Sequence, residues 1–426
     1  MNTTITPHKN YSVASLTIDN CPVVKAYLCV DLHHHNSAAD QAAFAMYGDL
    51  LLSGTDKLSR EAFLSALSNI GAEIATSVQD GVLTIALTSP VPVWKKVLAL
   101  TSDLLIKPAF APTERERVAR LIKNAIHDEQ ENTKRIASEA LHNSFYKPND
   151  RHARCTLTQL GTALKQITAA DITRLHARLH ANPWTITVVG DKDACDLTTK
   201  TFAKLAPKSI TPQTRTVATK TTTDRLQLTH IPSKDNIEFS IGCPIALTIT
   251  DPELPALLFG VAVLAKYGGF AGRLMSIVRE KEGLTYSIYG RVTGTDVAET
   301  GVFQIGTFFN PPQALQGVTS TFREITNLYK HGITDAEFKS FKTILETQTI
   351  LRADSPLRQL DTLHLYHKLR FTTDQIIAFE ASLLDVTKPG VNHAIKTYLD
   401  PQTMIVCGAG PVSTVQKDLE AFIKTV

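Results

Sequence analysis

No stretch of the sequence is long and apolar enough to cross a membrane. The best candidate, residues 254–265, has twelve uncharged residues and is closed by Lys266, whereas a spanning helix needs about 20 apolar residues. We expect this stretch to form a buried helix. The N-terminus also lacks the apolar segment of a secretory signal, so we expect a cytoplasmic protein, or a periplasmic or organellar one if a leader was removed.

An excess of charge of one sign and paired cysteines are also missing. Lys and Arg number 44 against 41 Asp and Glu, a net charge of +3, which is too balanced for a protein that binds nucleic-acid phosphates. The six cysteines form no Cys-x-x-Cys pair, so we expect reduced thiols that behave as small buried apolar groups. The sequence contains no dinucleotide-binding, phosphate-loop or serine-hydrolase motif.

What the chain does contain is enough material for two or three domains, since it has 426 residues of which 43% are hydrophobic. Residues 207–224 hold seven threonines and two prolines, a composition typical of an extended linker. The halves on either side resemble each other, because Pro183 and Pro401 are 218 residues apart. We therefore predict two homologous domains, residues 1–206 and 225–426, joined by a linker at 207–224.

Strand and helix patterns are mixed within each half and do not alternate strictly. In the first half, strands are predicted at residues 11–18, 23–32, 74–78 and 82–87, and helices at 38–52, 92–106 and 112–131. Asp80-Gly81 between two of the strands is a strong hairpin signal. This order favours α+β domains, each with a mostly antiparallel sheet covered by helices on one face.

The most informative stretch is YGGFAGRLMSIVREKEGLTYSIYG at residues 267–290. A glycine-rich turn containing Gly268, Gly269 and Gly272 precedes a predicted helix that ends at a glycine cap, and a strand follows. Arg279 lies in the last turn of the helix, and Tyr286 comes seven residues later. A helix end and the strand that follows it can bring two such side chains together as a donor pair for a peptide carbonyl or an oxyanion. Taken alone, however, the residues favour a surface arginine paired with nearby glutamates and a tyrosine packed on the sheet.

This stretch closely resembles the C-terminal-domain signature of the pitrilysin, insulinase and mitochondrial processing peptidase family, the inverzincins. The resemblance implies that Arg279 and Tyr286 are the substrate-binding pair of that family and that Gly268, Gly269 and Gly272 lie beside the bound peptide. It also implies α+β sandwich domains that form half of a clamshell around a peptide chamber.

The resemblance also locates a catalytic motif that this chain has lost. The family carries H-x-x-E-H on a helix before a Gly-Thr turn, where two histidines bind zinc and the glutamate is the general base. Gly54-Thr55 sets the register, so the histidine positions are Ala45 and Asp49 and the base position is Gly48. We therefore expect no zinc-activated water in this half.

The third zinc ligand of the family, a glutamate on a later helix, is replaced as well. The corresponding position falls near Asn124 and Ala125. A catalytic zinc site needs three protein ligands and one open position, and Asp49 alone cannot supply them. We expect no metal in this chain, and we expect zinc in a homologous partner subunit that carries H-x-x-E-H.

Three groups of histidines are candidates for a replacement metal site. His33, His34 and His35 end the second predicted strand, where two of them could share a face; we expect an exposed polar strand end there. His176 and His180 have zinc-like spacing without an intervening glutamate, and we expect a structural role at a helix C-terminus. The pair at 364 and 367 is a weaker candidate.

The sequence thus predicts a non-catalytic, substrate-binding subunit of a heterodimeric zinc metallopeptidase. Its partners would be a homologous zinc-bearing subunit and a peptide substrate, with no nucleic acid and no membrane. Alone, the chain would be inactive. The alternative is a catalytically inactive scaffold or a peptide-binding homodimer without a peptidase partner.

Overall fold

The computed structural model describes residues 2–32, 36–148, 150–207, 217–219, 221–265, 272–297, 299–353 and 355–426. The three histidines at 33–35 and the glycines at 268 and 269 lie outside these residues. The chain divides into two compact units. Unit 1 consists of Met1–Asp128, Cys155–Thr214 and Ile350–Thr373, and unit 2 consists of Glu129–Arg154, Arg215–Thr349 and Asp374–Val426.

The elements are numbered in chain order. The strands are β1 (Asn2–Pro7), β2 (Tyr11–Thr17), β3 (Val23–Asp31), β4 (Glu73–Gln79), β5 (Val82–Pro90), β6 (Trp184–Gly190), β7 (Leu226–His230), β8 (Ile237–Ile245), β9 (Ile288–Thr293), β10 (Gly301–Phe309) and β11 (Ile405–Gly410). The α-helices are α1 (Ala38–Leu51), α2 (Arg60–Ser68), α3 (Trp94–Ile106), α4 (Pro112–Glu129), α5 (Thr133–Asn143), α6 (Leu157–Leu164), α7 (Ala169–Leu179), α8 (Lys192–Leu205), α9 (Leu254–Ala265), α10 (Ala314–His331), α11 (Asp335–Ala353), α12 (Pro356–Lys368), α13 (Thr373–Leu384), α14 (Lys388–Tyr398) and α15 (Gln416–Ile423).

The described part of unit 1 contains a six-stranded sheet in the order β1-β2-β6-β3-β5-β4. The strand pairs are antiparallel except for the parallel pair β2 and β6. Asp80 and Gly81 have φ angles of 47° and 70°, which are the positive values that a tight two-residue hairpin requires. The hairpin predicted from Asp80-Gly81 is therefore confirmed.

Helices α1, α3, α7 and α8 pack on one face of this sheet. Strand side chains alternate between the two faces, so every second residue of a strand points towards these helices. Leu28 and Ile186 point to that side and are fully buried in the core. Trp94 of α3 donates its indole N–H to the Thr198 hydroxyl of α8 at 2.8 Å. Ser37 begins α1 with a reciprocal capping box to Asp40, which explains why the helix starts there.

The opposite face of the same sheet is partly covered by α12, which comes from the second half of the sequence. Both ring nitrogens of His367 lie at hydrogen-bond distance from sheet hydroxyls, Nε2 at 2.7 Å from Ser12 and Nδ1 at 3.0 Å from Thr187. The hydroxyl of Tyr27 donates to Asp361 at 2.9 Å. These contacts place a polar layer between α12 and the sheet, buried at His367 and exposed at Asp361.

Unit 2 repeats this plan with a five-stranded sheet in the order β7-β11-β8-β10-β9, again among described residues. Its single parallel pair, β7 and β11, corresponds to β2 and β6 of unit 1. Helix α10 packs closely on β10, because a Cβ on Gly317 would lie 2.4 Å from the Phe309 ring. Helix α5, from the first half of the sequence, lies on the other face, where Ser138 accepts a hydrogen bond from Gln304 at 3.2 Å.

The predicted fold class, mixed α and β with largely antiparallel sheets, is confirmed. The structure adds one helix on the second face of each sheet, which corrects the expectation that helices cover one face alone. The predicted boundaries, 1–206, 207–224 and 225–426, describe a duplication and stay a prediction. The compact units exchange one segment each across those boundaries. The clamshell also stays a prediction.

No helix in the described ranges combines the length and the apolar character that a bilayer crossing needs. The apolar stretch at 254–265 is the buried helix α9, as the sequence predicted.

Candidate functional site

The segment before Tyr286 is helical, as predicted, and its residues Met275–Lys281 form a π-helix. The Glu282 amide donates to the Ile277 carbonyl five residues earlier, at 2.9 Å. Such wide turns occur frequently at functional sites. The helical segment ends at Gly283, whose φ angle of +67° is the left-handed conformation that favours glycine.

Both ends of this segment are anchored in unit 2. At its start, Arg273 forms two hydrogen bonds to the Glu337 carboxylate, at 2.6 and 2.8 Å, and a third to the Gly332 carbonyl at 2.8 Å. At its end, Glu282 accepts from Arg323 at 2.6 Å. Burial opposes ionisation of Glu282, but hydrogen bonds from Ser320 and Arg323 prevail and lower its pKa.

The structure brings Arg279 and Tyr286 together, as the sequence suggested. The guanidinium carbon of Arg279 lies 5.1 Å from the centre of the Tyr286 ring, within the range of a cation–π contact. Tyr286 is 77% exposed, although Leu284 and Ile288 on either side are buried. Tyr286 differs from these neighbours because β9 begins only at Ile288 and Tyr286 lies in the bend before it.

The bend that presents Tyr286 is held by buried hydroxyls. Thr285 is 9% exposed; its hydroxyl donates to the Ser287 carbonyl at 3.2 Å and accepts from Thr307 at 3.4 Å. Gly272, at the start of the segment, has a φ angle of +119°, which other residues rarely adopt. The backbone that carries the exposed Tyr286 phenol, with the Arg279 guanidinium over its ring, is thus held in a fixed conformation.

The positions that correspond to zinc ligands provide no binding site. Ala45 and Asp49 are exposed on α1, and Ala125 is exposed on α4. Gly48 is buried against β4, where its carbonyl accepts a hydrogen bond from the Thr76 hydroxyl at 2.8 Å. Within the ranges that the structure describes, no three His, Cys, Asp or Glu residues are grouped closely enough to hold an ion. Alanine and glycine have no ligand atom, so these residues do not fit the family's zinc.

The described histidine pairs have packing roles. His176 Nδ1 lies 2.7 Å from the Tyr47 hydroxyl, and His180 Nε2 lies 2.8 Å from the Leu105 carbonyl. Burial lowers the pKa of His176, of His364 and of His367 to about 4 in each case. These rings are therefore neutral at pH 7, and each is held by hydroxyl groups or backbone carbonyls.

Three buried cysteines have the properties of unreactive thiols. None of the six is in a disulfide. Burial raises the pKa of Cys195 to about 11, and the pKa values of Cys243 and Cys407 to about 12. Their thiols stay protonated at neutral pH, which makes them poor nucleophiles.

A cleft on unit 2 was not predicted from the sequence. It is lined by Lys134, Arg135, Arg154 and three polar or acidic residues. Two of the basic residues are neighbours on α5, and the third lies some twenty positions later in a loop. Because no spacing pattern joins them, the sequence carried no signal for this cleft.

Comparisons with known proteins extend this description. Residues 166–345 match the family model described as the Peptidase M16 inactive domain. The fold is similar to that of a peptidase M16 inactive domain from Pseudomonas fluorescens, with a TM-score of 0.82 and 20% identity over 96% of this chain and 98% of that one. A protease from Helicobacter pylori has a TM-score of 0.82 and 16% identity, over 96% and 99% of the two chains.

A curated relative is an uncharacterized zinc protease from Streptomyces coelicolor, which is 33% identical over 111 residues. The match covers 26% of this chain and 23% of that protein, so it spans about a quarter of the relative's length. The structural likenesses, at 20% identity or below, establish the fold. The family resemblance seen in the sequence is confirmed for residues 166–345, which match the model of the Peptidase M16 inactive domain.

Proposed function

We propose that this chain is the non-catalytic, substrate-binding subunit of a heterodimeric zinc metallopeptidase. A non-catalytic M16 peptidase-like role is supported by the family match. The partner subunit, the peptide substrate and the role of each residue are our proposal. The observation that carries it is the exposed Tyr286 ring with the Arg279 guanidinium 5.1 Å from its centre.

The exposure of Tyr286 favours a binding role over a packing role. A tyrosine kept for the core would bury its ring, as Tyr47 does at 0% exposure, whereas Tyr286 is 77% exposed. A cation–π contact at such a surface contributes about 0.5–1 kcal/mol. That is enough to favour one ring orientation, and it leaves the phenol hydroxyl at the outer end of the side chain.

In the proposed complex, the zinc of the partner's H-x-x-E-H motif supplies the activated water. Tyr286 would donate its O–H to the carbonyl oxygen of the bound peptide, and this bond would strengthen as negative charge develops on that oxygen. Arg279 would hold the phenol ring in place and add positive charge beside it. No other step requires a group from this chain.

The glycine-rich turn would serve the same substrate. A peptide backbone can approach a glycine closely because no Cβ stands in the way. Gly272 would provide such an approach, and we extend the proposal to Gly268 and Gly269. The peptide itself would add as a strand to a sheet edge of the partner.

The test compares the purified chain, its zinc-motif homologue and their mixture. We expect no peptide hydrolysis and no stoichiometric zinc for this chain alone, and robust hydrolysis for the mixture. Tyr286→Phe and Arg279→Ala should slow the mixture, whereas the half-buried control Tyr329→Phe and the exposed control Arg120→Ala should not. Hydrolysis by the chain alone would refute the proposal. Failure of the two proteins to associate would favour a scaffold or a homodimer.

A further inference from the structure

We propose that Glu282 is a positioning residue for the Arg279–Tyr286 contact, because it ties the turn between these two residues to helix α10. Glu282 is the C-cap of the π-helix; Arg279 lies three positions before it and Tyr286 four positions after it. The expected effect on turnover rests on the proposed function. The effect on the geometry of the contact concerns this chain alone, so the two effects can be tested separately.

Both oxygens of the Glu282 carboxylate are bonded to α10. Oε1 accepts a hydrogen bond from the Arg323 guanidinium at 2.6 Å, and Oε2 accepts one from the Ser320 hydroxyl. Arg323 also donates to the Ser320 hydroxyl at 2.9 Å and to the Glu324 carboxylate at 3.0 Å. A carboxylate that is bonded at both oxygens, once to a cation, is held in one orientation.

Helix α10 is a fixed support for these bonds. Ser320 and Glu324 are buried in it, as is Phe322. The helix also contacts β10 closely at Gly317, where a Cβ would collide with the Phe309 ring. Side chains packed in this way have little room to shift. Glu282 therefore joins the turn to an element whose position is determined by the core of unit 2.

Backbone hydrogen bonds connect Glu282 to both residues of the pair. The Gly283 amide donates to the Arg279 carbonyl, and the Leu284 amide donates to the Val278 carbonyl, each at 3.0 Å. Leu284 and Val278 are buried, so the turn is closed over apolar side chains. A change in the backbone angles at Glu282 therefore moves the two side chains of the pair relative to each other.

Loss of the Glu282 carboxylate should disturb this geometry more than the folding. The Arg323 side chain is 47% exposed, and ion pairs at such positions contribute little to stability. When Glu282 is replaced, the buried Ser320 hydroxyl keeps its bond to Arg323, so it is not left without a partner. A positioning role can therefore be separated from a structural role by experiment.

The first test uses the purified chain labelled with 3-fluorotyrosine. The fluorine resonance of Tyr286 is identified by its loss in Tyr286→Phe, and its shift in Arg279→Ala reports the loss of the contact. We expect Glu282→Ala to shift it in the same direction. Glu282→Gln and Arg323→Ala, which each keep part of the network, should shift it less, and the exposed control Glu346→Ala should leave it in place.

Two results of this test would overturn the inference and leave the proposed function standing. One is an unchanged Tyr286 resonance in Glu282→Ala. The other is a Tyr286 resonance that does not respond to Arg279→Ala, since there would then be no contact for Glu282 to position.

The second test measures kinetics of the chain mixed with its zinc-motif homologue. Glu282→Ala should lower kcat about tenfold, with KM and the thermal midpoint nearly unchanged. In the Tyr286→Phe background it should cause no further loss, because Glu282 acts through the Tyr286 hydroxyl. Equal losses in both backgrounds would overturn the inference. If the mixture hydrolyses no peptide, the proposed function fails, and the fluorine resonance still decides whether Glu282 fixes the contact.

Discussion

The Arg279 guanidinium lies 5.1 Å from the centre of the Tyr286 ring, although a glycine-capped helix end separates the two residues. Arg279 lies within the π-helical segment Met275–Lys281, and the left-handed Gly283 turns the chain between Arg279 and Tyr286. A π-helix places successive side chains at a different angle from an α-helix.

Replacing Tyr286 by phenylalanine should lower the kcat of the mixed peptidase by about 10²-fold, as is typical when one oxyanion donor is removed. The ring and its contact with Arg279 remain, so KM and thermal stability should change little. Steady-state kinetics with a fluorogenic peptide measure both parameters. A kcat equal to that of Tyr329→Phe would show that the Tyr286 hydroxyl takes no part in the reaction.

Zinc binding should require ligands that this chain lacks. Ala45→His with Asp49→His puts two imidazoles one helical turn apart on an exposed face of α1, and Ala125→Glu adds the family's third ligand. We expect the triple variant to retain about one zinc per chain after dialysis, because three protein ligands form a stable site. Elemental analysis is the measurement, with the wild type as the control. Equal zinc in both proteins would contradict the assignment of these positions.

Acid should destabilise unit 1 through His364 and His367. Burial lowers the pKa of each from 6.5 to about 4. Between pH 6.5 and 4, these two histidines are therefore protonated in the unfolded chain and neutral in the folded chain. Stability from these neutral rings is complete above about pH 6.5 and is lost as pH falls towards 4. A shift of this size corresponds to at most about 3 kcal/mol per ring.

The corresponding measurement is the urea concentration at the midpoint of unfolding of unit 1, determined at several pH values between 7 and 4. Hydrogen exchange of the α12 amides reports the unfolding of this unit. His367→Gln should flatten the pH dependence and lower stability at pH 7, because it removes a ring held by two hydroxyls. His393→Gln is the control, since the His393 side chain is 70% exposed. A pH profile that is identical in both variants would show that His367 does not titrate as described.

The Arg273–Glu337 pair should behave as one unit. Arg273→Ala or Glu337→Ala should each cost about 3 kcal/mol, because either change leaves a partly buried charge without its partner. The double variant should cost little more than either single one. Urea denaturation of all four proteins gives the coupling free energy. Additive losses would show that the two residues act separately, despite the distances of 2.6 and 2.8 Å.

Most local structure could be predicted from the sequence because local causes produce it. The Asp80-Gly81 hairpin follows from two residues that tolerate positive φ angles. Ser59, a residue type that favours helix N-caps, begins α2, and its hydroxyl accepts from the Ala62 amide at 3.3 Å. The degenerate zinc positions could also be read directly, because Ala45, Gly48 and Ala125 lack ligand atoms whatever the fold.

The sequence by itself determined the two-sheet α+β architecture, the resemblance to the M16 family and the replacement of the ligand positions, since these follow from periodicity, motif spacing and side-chain chemistry. Only the tertiary structure decided that Tyr286 is exposed, that α5 and α12 each cover a face of the sheet of the other half, and that Lys134 and Arg154 line one cleft. The helix positions and the cleft bring together residues that are distant in the chain, and the exposure of Tyr286 depends on how the chain bends before β9. Long-range packing determines these features, and local sequence preferences do not.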